Sequence, residues 1–320
     1  MINLATVETR IQEKAAGATV NDAKSQIFEY AWMLKKQGYR EGTIREYANQ
    51  IALLKKYGAD IFNPESVKSV LAQANWKEST KAVITKIYSN FLSFHNLTWH
   101  EPTYKQRKTL KFIPTEKEIN DLISCCGKIT SLALRIAKET GARIGEIAKL
   151  RWIDIDQEKR ILRISEAEKG SNPRILSISN DLIAALDHMQ KKGEYVFMTN
   201  GKPMVPTHLS GLLLNGRKTA ARKLTNPRLL EISFHTMRHW KATMEYHKTR
   251  DILHVKEVLG HKCIENTMIY IDMEKALFRE GNEDFIVKAA ANLDEACKLL
   301  EVGFEYVCEM DGKKLFRKRN

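Results

Sequence analysis

Apolar residues recur at helical spacing through most of the first hundred positions. One pattern starts at Asn21, runs through Ile27, Tyr30, Ala31 and Leu34, and stops at Gly38. A second opens with the capping box Thr43 to Glu46 and closes at Gly58. Asn63 before Pro64 is a cap followed by a first-turn proline, leading through Val67, Val70 and Leu71; a fourth pattern runs Ala82, Ile84, Ile87, Phe91. Four such pieces predict one compact helical unit over residues 1–100. Residues 101–112 break the period with Pro102 and carry Lys105, Arg107, Lys108 and Lys111, which reads as a basic linker.

Helical spacing resumes behind a second capping box, Thr115 to Glu118, with Ile119, Leu122 and Ile123 on one face, and further helices are expected over 131–140 and 145–151. The period then shortens to two. Residues 161–164 and 174–178 are β-branched runs joined by turn chemistry at 168–173, a predicted hairpin. A third run, 195–198, precedes Asn200-Gly201. The pattern is helical again from Thr207, with Arg217, Lys218, Arg222, Lys223 and Arg228 in one stretch. A helix over 293–300 and a hairpin of 304–308 with 314–316, turning at Asp311-Gly312, end the chain. The fold class expected is mainly α with a small β-sheet (α+β).

Composition narrows the function. The 320 residues suit about two domains, and 43% hydrophobic content is enough for packed cores. Lys and Arg exceed Asp and Glu by 52 − 39 = 13, which points to a polyanionic partner, because neutralised phosphates release counterions. No apolar run reaches the roughly 18 residues of a membrane span, and residues 1–10 lack the features of a leader. No membrane association is expected, and the location expected is cytoplasmic, at the nucleoid. Five cysteines without a CxxC pair predict reduced, mostly buried thiols.

Familiar cofactor signatures fail. Gly127-Lys128 runs into Ile129 where a P-loop needs Ser or Thr. His235 and His239 are spaced i, i+4, but no carboxylate completes a zinc motif. The recurrence of His247, His254 and His261 every seven residues would need a helix through Gly260, and reads as chance. No metal and no cofactor is expected.

One ordered set of residues remains. Arg143 opens a helix with Glu146 a turn later; His235 and Arg238, three apart, share a helix face beside His239; His261 is followed nine residues on by Tyr270. Singly, each has an ordinary structural use. Together with Lys169 on the hairpin tip they suit the holding of a phosphodiester while a phenolate attacks it. Guanidinium groups of Arg143 and Arg238 would bind the nonbridging oxygens where charge accumulates. A departing 5′ oxygen needs a general acid, for which Lys169 is placed, and the phenol needs a base, for which His235 is placed, with His261 donating to the phosphoryl oxygens.

The boxes TGARIGEIAKLRWIDID, SFHTMRHWKAT and VLGHKCIENTMIYID resemble the tyrosine recombinase (integrase) family, over about residues 113–275, and Thr43-Ile-Arg-Glu-Tyr47 resembles it more loosely. The resemblance implies that Arg143, Lys169, His235, Arg238 and His261 assemble a phosphate site and that Tyr270 forms a 3′-phosphotyrosyl intermediate. Glu146 matches the family's acidic helper, and His239 a supporting histidine. A covalent intermediate conserves bond energy, in keeping with the absence of an ATP motif.

The resemblance further implies an N-terminal core-DNA-binding domain, a basic linker, a catalytic domain over 113–275, and a homo-tetramer acting on two double-stranded DNA sites. Lys105, Arg107, Lys108, Lys111, Arg217, Lys218, Arg222 and Lys223 are the expected DNA contacts. Fifty residues follow Tyr270; this C-terminal part is similar to that of archaeal integrase-like members, and its tail, 276–320, is expected to dock on a neighbouring protomer. The activity implied is site-specific strand exchange that integrates or excises a mobile element, viral or plasmid. A Xer-type dimer resolvase, a type IB topoisomerase, and a catalytically silent DNA-binding protein are the alternatives.

Overall fold

The structure, a computed structural model, describes residues 23–105, 111–191, 193–278, 285–310 and 312–319. These fall in two compact units, Met1–Thr109 and Leu110–Asn320. The first is four helices, α1 (Ala23–Lys36), α2 (Glu41–Lys56), α3 (Pro64–Gln73) and α4 (Glu78–Phe94). Their apolar faces bury Tyr30, Leu34, Ile51, Leu54, Leu71, Ile84 and Phe91 in one core. Asn63 caps α3 as expected, its side chain accepting from the Glu65 and Ser66 N–H groups. The Thr43 capping box does not start α2. That helix begins at Glu41 behind an extended Arg40, where an acidic first residue suits the helix dipole, so Thr43 lies inside the first turn. Asn21 lies outside the described residues.

The second unit is mainly helical, with short antiparallel strands. Helices α5 (Glu116–Cys125), α6 (Lys128–Thr140) and α7 (Ile144–Ala148) precede the sheet β1 (Ile155–Asp156), β2 (Ile161–Ile164), β3 (Arg174–Ser177), ordered β1-β2-β3. The Thr115–Glu118 capping box is present. Leu162 pairs with Leu176 and Ile164 with Arg174, which sets the register of the hairpin. After α8 (Asn180–Asp187), residues 195–198 give less strand than the pattern predicts. Only Met198–Thr199 (β4) pairs, with β5 (Lys202–Pro203), because Val196 N–H bonds Leu150 O and a single bridge joins Tyr195 to Arg151. Asn200 and Gly201 turn this pair with φ of +51° and +74°.

Helices α9 (Pro206–Lys223), α10 (Phe234–Thr249), α11 (Ile252–Leu259) and α12 (Glu265–Phe278) complete the unit, and one core runs from Ile113 to Met273. The tail forms β6 (Phe285–Ala290), α13 (Leu293–Glu301), β7 (Glu305–Met310) and β8 (Lys313–Arg319), ordered β6-β8-β7. Its own small core is Ala290, Ala296, Phe304 and Phe316. The hairpin at the chain end is as expected; β6, its third strand, was not legible. All five cysteines are unpaired, and Cys263, Cys297 and Cys308 are exposed rather than buried. Among the described residues no helix is long and apolar enough to cross a membrane.

Candidate active site

Gly141, at φ +61°, ends α6 and lets the chain turn directly into α7, with Arg143 at the N-cap. Glu146 reaches back one turn. Its carboxylate accepts from the Arg143 N–H (2.8 Å) and from Arg143 Nη1 (3.3 Å). It also accepts from the Glu168 N–H (3.3 Å) and from both terminal nitrogens of Arg174 (3.3 and 2.7 Å). The Glu146 side chain is fully buried and that of Arg174 is 5% exposed. Burial pushes the Glu146 carboxyl up, but the hydrogen bonds and charge of Arg174, with the two main-chain donors, hold it below the usual carboxylate range.

The β2–β3 turn carries Lys169 and is fixed on both sides. Ser171 Oγ accepts from Arg143 Nη1, and the Asn172 N–H donates to Gly260 O at 3.0 Å. Lys169 itself adopts the left-handed conformation (φ +52°, ψ 34°) and is exposed. Among the described residues nothing hydrogen-bonds its Nζ. Gly260, φ +67°, ends α11; a Cβ there would meet Asn172 O at 2.8 Å and Arg174 Nη1 at 3.1 Å. A residue without a side chain is therefore required where turn, strand and α11 converge.

Helix α10 supplies His235, Arg238 and His239. Arg238 is 2% exposed, and its terminal nitrogens donate to Gly141 O (2.7 Å) and Leu259 O (2.6 Å). Each terminal nitrogen keeps a second N–H. Burial, with the charges of Arg143 and Arg174, lowers its pKa to about 10. The rings of His235 and His239 stand 4.5 Å apart. Desolvation and the charges of Arg238, Lys169, Arg143 and Lys111 hold His235 below the usual imidazole range. His239, more deeply set, is lowered to about 4 by burial and the neighbouring His235, Lys111 and Arg238.

Tyr270 lies on α12, 2% exposed, and its hydroxyl is 3.2 Å from His239 Nδ1. The imidazole in contact with the phenol is thus His239, one helical turn beyond His235. Burial raises the Tyr270 pKa against the opposing pull of Arg238 and Arg143. His261 Nδ1 pairs with Thr267 Oγ1 at 2.9 Å, and burial with the charges of Arg238, Arg143 and Arg174 lowers its pKa to about 4. Buried Glu274, one turn past Tyr270, accepts from Arg250 (2.6 Å) and pairs with His247 (2.8 Å).

Arg143, Glu146, the Lys169 turn, Arg238 and His261 come together as one cationic cluster, with His239 and Tyr270 paired within the same unit. Arg174, Thr267 and Glu274 escaped sequence reasoning. The signal available was a polar residue at a core-facing position: Arg174 shares a strand face with buried Leu176, and Thr267 and Glu274 share a helix face with Tyr270.

The basic residues separate into two kinds. Lys105, Lys111, Lys218, Arg222 and Lys223 are exposed. Arg217 is half-buried and donates to Ile232 O at 3.2 Å, and Arg228 pairs with Glu118 at 2.6 Å over the Phe112 ring. Arg107 and Lys108 lie outside the described residues. Among the described residues no three His, Cys, Asp or Glu side chains form a metal-binding group. His254 instead pairs with Glu245 at 3.0 Å.

Residues 113–276, a little over half of the chain, match the family model described as the phage integrase family. The chain belongs to this family, the tyrosine recombinases, and is a DNA strand-exchange enzyme. It is 24% identical over 273 residues to the tyrosine recombinase XerA of Pyrococcus horikoshii, covering 80% of this chain and 91% of that one. It shares its fold with the Tn1549 transposon integrase solved in complex with transposon right end DNA (TM-score 0.62, 14% identity, 79% of this chain and 98% of that chain). A lambda integrase tetramer bound to a Holliday junction is similar too (TM-score 0.59, 17% identity, 80% of this chain and 81% of that chain).

Proposed function

We propose that the chain cuts and rejoins duplex DNA at a specific site through Tyr270. Its hydroxyl oxygen forms a bond to phosphorus as the bond from phosphorus to the 5′ oxygen breaks, leaving a 3′-phosphotyrosyl link and a free 5′-hydroxyl. The phenol proton passes to the imidazole pair His235–His239, of which His239 already touches the hydroxyl. Lys169 gives its proton to the departing oxygen, and Arg143, Arg238 and His261 hold the nonbridging oxygens. Rejoining is the reverse, with a 5′-hydroxyl attacking the phosphotyrosine. The observation that carries this reading is the convergence of Arg143, Arg238 and His261 on one cluster with the Lys169 turn fastened to it.

In this reading residues 1–100 bind the core DNA, 101–112 link, 113–275 catalyse and 276–320 contact a neighbouring protomer. Four protomers act on two duplexes, and the lambda integrase tetramer of like fold supports that assembly. The reaction served is insertion or excision of a mobile element. The span of the XerA match favours a second reading, resolution of replicon dimers.

The test incubates wild type and Tyr270→Phe with nicked duplexes drawn from the source genome and looks for protein attached to DNA under denaturing conditions. Wild type alone is expected to form an adduct, at a 3′ phosphate. Salt-sensitive binding without any adduct would overturn the mechanism. Plasmids carrying two mapped sites as direct repeats, against one element site paired with one chromosomal site, separate resolution from integration.

A further inference from the structure

Arg174 is a buried guanidinium that the reading above leaves without a task. It stands at the first position of β3, directly after the Lys169 turn, and both terminal nitrogens are held by Glu146. Its Nε is buried and has no partner. Nη1 also lies where a Cβ on Gly260 would be 3.1 Å away, so the guanidinium crosses the loop that leads into His261.

A buried, one-sided arrangement of this kind carries a desolvation cost. In this site the pair also fixes its surroundings. Here Arg174 holds Glu146, and Glu146 in turn takes the Glu168 N–H, the residue beside Lys169, and the Arg143 side chain. The other side of the turn is fixed through Asn172 to Gly260 O, the residue that Arg174 packs against. Lys169 stands between these two fastenings in a left-handed conformation that costs an ordinary residue energy, so the turn has to be held in place from outside.

We infer that Arg174 is a positioning residue for Lys169: through Glu146 and the Gly260 loop it holds the hairpin turn so that the lysine Nζ meets the departing 5′ oxygen. Arg174 is not assigned to the phosphate, since both of its terminal nitrogens face the Glu146 carboxylate, which neutralises its charge, whereas Arg238 bonds neutral carbonyls and keeps its own. The inference rests on the reading of Lys169 as general acid.

The test replaces the departing 5′ oxygen by sulfur in a duplex carrying the mapped site. A thiolate leaves without protonation, so an enzyme defective only in the general acid recovers on that substrate. Arg174→Gln, Arg174→Lys and Lys169→Ala are compared with wild type on both substrates. On ordinary DNA, Arg174→Gln is expected to cleave about 10²-fold more slowly, the size of effect that misplacing a reacting group produces. On the sulfur substrate it is expected to return to within about threefold of wild type, as Lys169→Ala does, while DNA affinity stays unchanged on both.

Each ratio compares two substrates on one preparation, so a partly unfolded fraction cancels. Arg174→Lys supplies the same ratio should the glutamine variant not fold. Rescue of Lys169→Ala without rescue of the Arg174 variants overturns the inference, as does wild-type cleavage of ordinary DNA by Arg174→Gln. Failure of Lys169→Ala to recover overturns the general-acid reading itself, and the inference with it.

Discussion

The two halves of the site are held in different ways. On the hairpin side, the Glu146 carboxylate takes five hydrogen bonds from Arg143, Glu168 and Arg174, and the turn is further fastened through Ser171 to Arg143 and through Asn172 to Gly260. On the nucleophile side, the Tyr270 hydroxyl has one imidazole contact, at 3.2 Å, and is buried. The cationic half is therefore built before substrate arrives, as electrostatic stabilisation of a transition state requires. The proposed nucleophile sits on a buried residue, Tyr270 at 2% exposed, with that one imidazole contact in place of such a network.

The largest break in this comparison is Glu146→Leu. It leaves the buried Arg174 charge without its carboxylate, and removing one partner of a buried pair costs about 3–5 kcal/mol. Urea unfolding of the variant is expected to show that loss, whereas a loss under about 1 kcal/mol would mean that solvent replaces the carboxylate.

Acid should act on both halves, through His261 in the cationic cluster and His239 beside Tyr270. His239 and His261 have pKa values lowered to about 4, against about 6.5 in an unfolded chain. Below pH 6.5 the unfolded state binds the protons first. The stability from these neutral rings is thus fully present above pH 6.5 and falls as pH drops towards 4, by about 2 kcal/mol per ring between pH 7 and pH 5. His239→Gln and His261→Gln should each flatten the pH slope of stability. An unchanged slope in both would show that neither ring is buried neutral.

Gly260→Ala tests the join. Its φ of +67° costs an alanine about 1–2 kcal/mol, and its Cβ would press on Asn172 O. Cleavage is expected to fall with DNA affinity kept, because the displaced carbonyl belongs to the Lys169 turn. Equal loss of both would place the damage in the fold at large.

The sequence made the helices, the hairpin and the order of the reactive residues legible because each has a local cause: a cap, a period, a turn residue. Asn63, Thr115 and Asn200-Gly201 act where their chemistry predicts. What stayed hidden depends on contacts distant in sequence. Arg174 meets Glu146 across 28 residues, and Tyr270 meets His239 across 31, so nothing nearby marks either pairing. The bond from Arg217, one of the expected DNA contacts, to the carbonyl of Ile232 was hidden in the same way. Strand β6 was missed because its pairing partner, β8, follows only after α13 and β7.

The smallest expected effect lies on the nucleophile side, at Arg250. This residue ends α10 at φ +55°, a conformation in which glycine avoids about 1–2 kcal/mol of strain. Its ion pair with Glu274 joins a guanidinium that is 53% exposed to a buried carboxylate on α12, and exposed pairs contribute about 0–1 kcal/mol. The two terms oppose each other in Arg250→Gly, and His247 remains to hold Glu274. Stability is therefore expected to move by less than about 1 kcal/mol, read from the thermal midpoint. Loosening the clip one turn from buried Tyr270 should leave adduct formation equal to or faster than wild type, since a less tightly held α12 makes the hydroxyl easier to reach. Slower adduct formation at unchanged stability would mean that Glu274 and Arg250 aim the nucleophile, and that both halves of the site are preorganised after all.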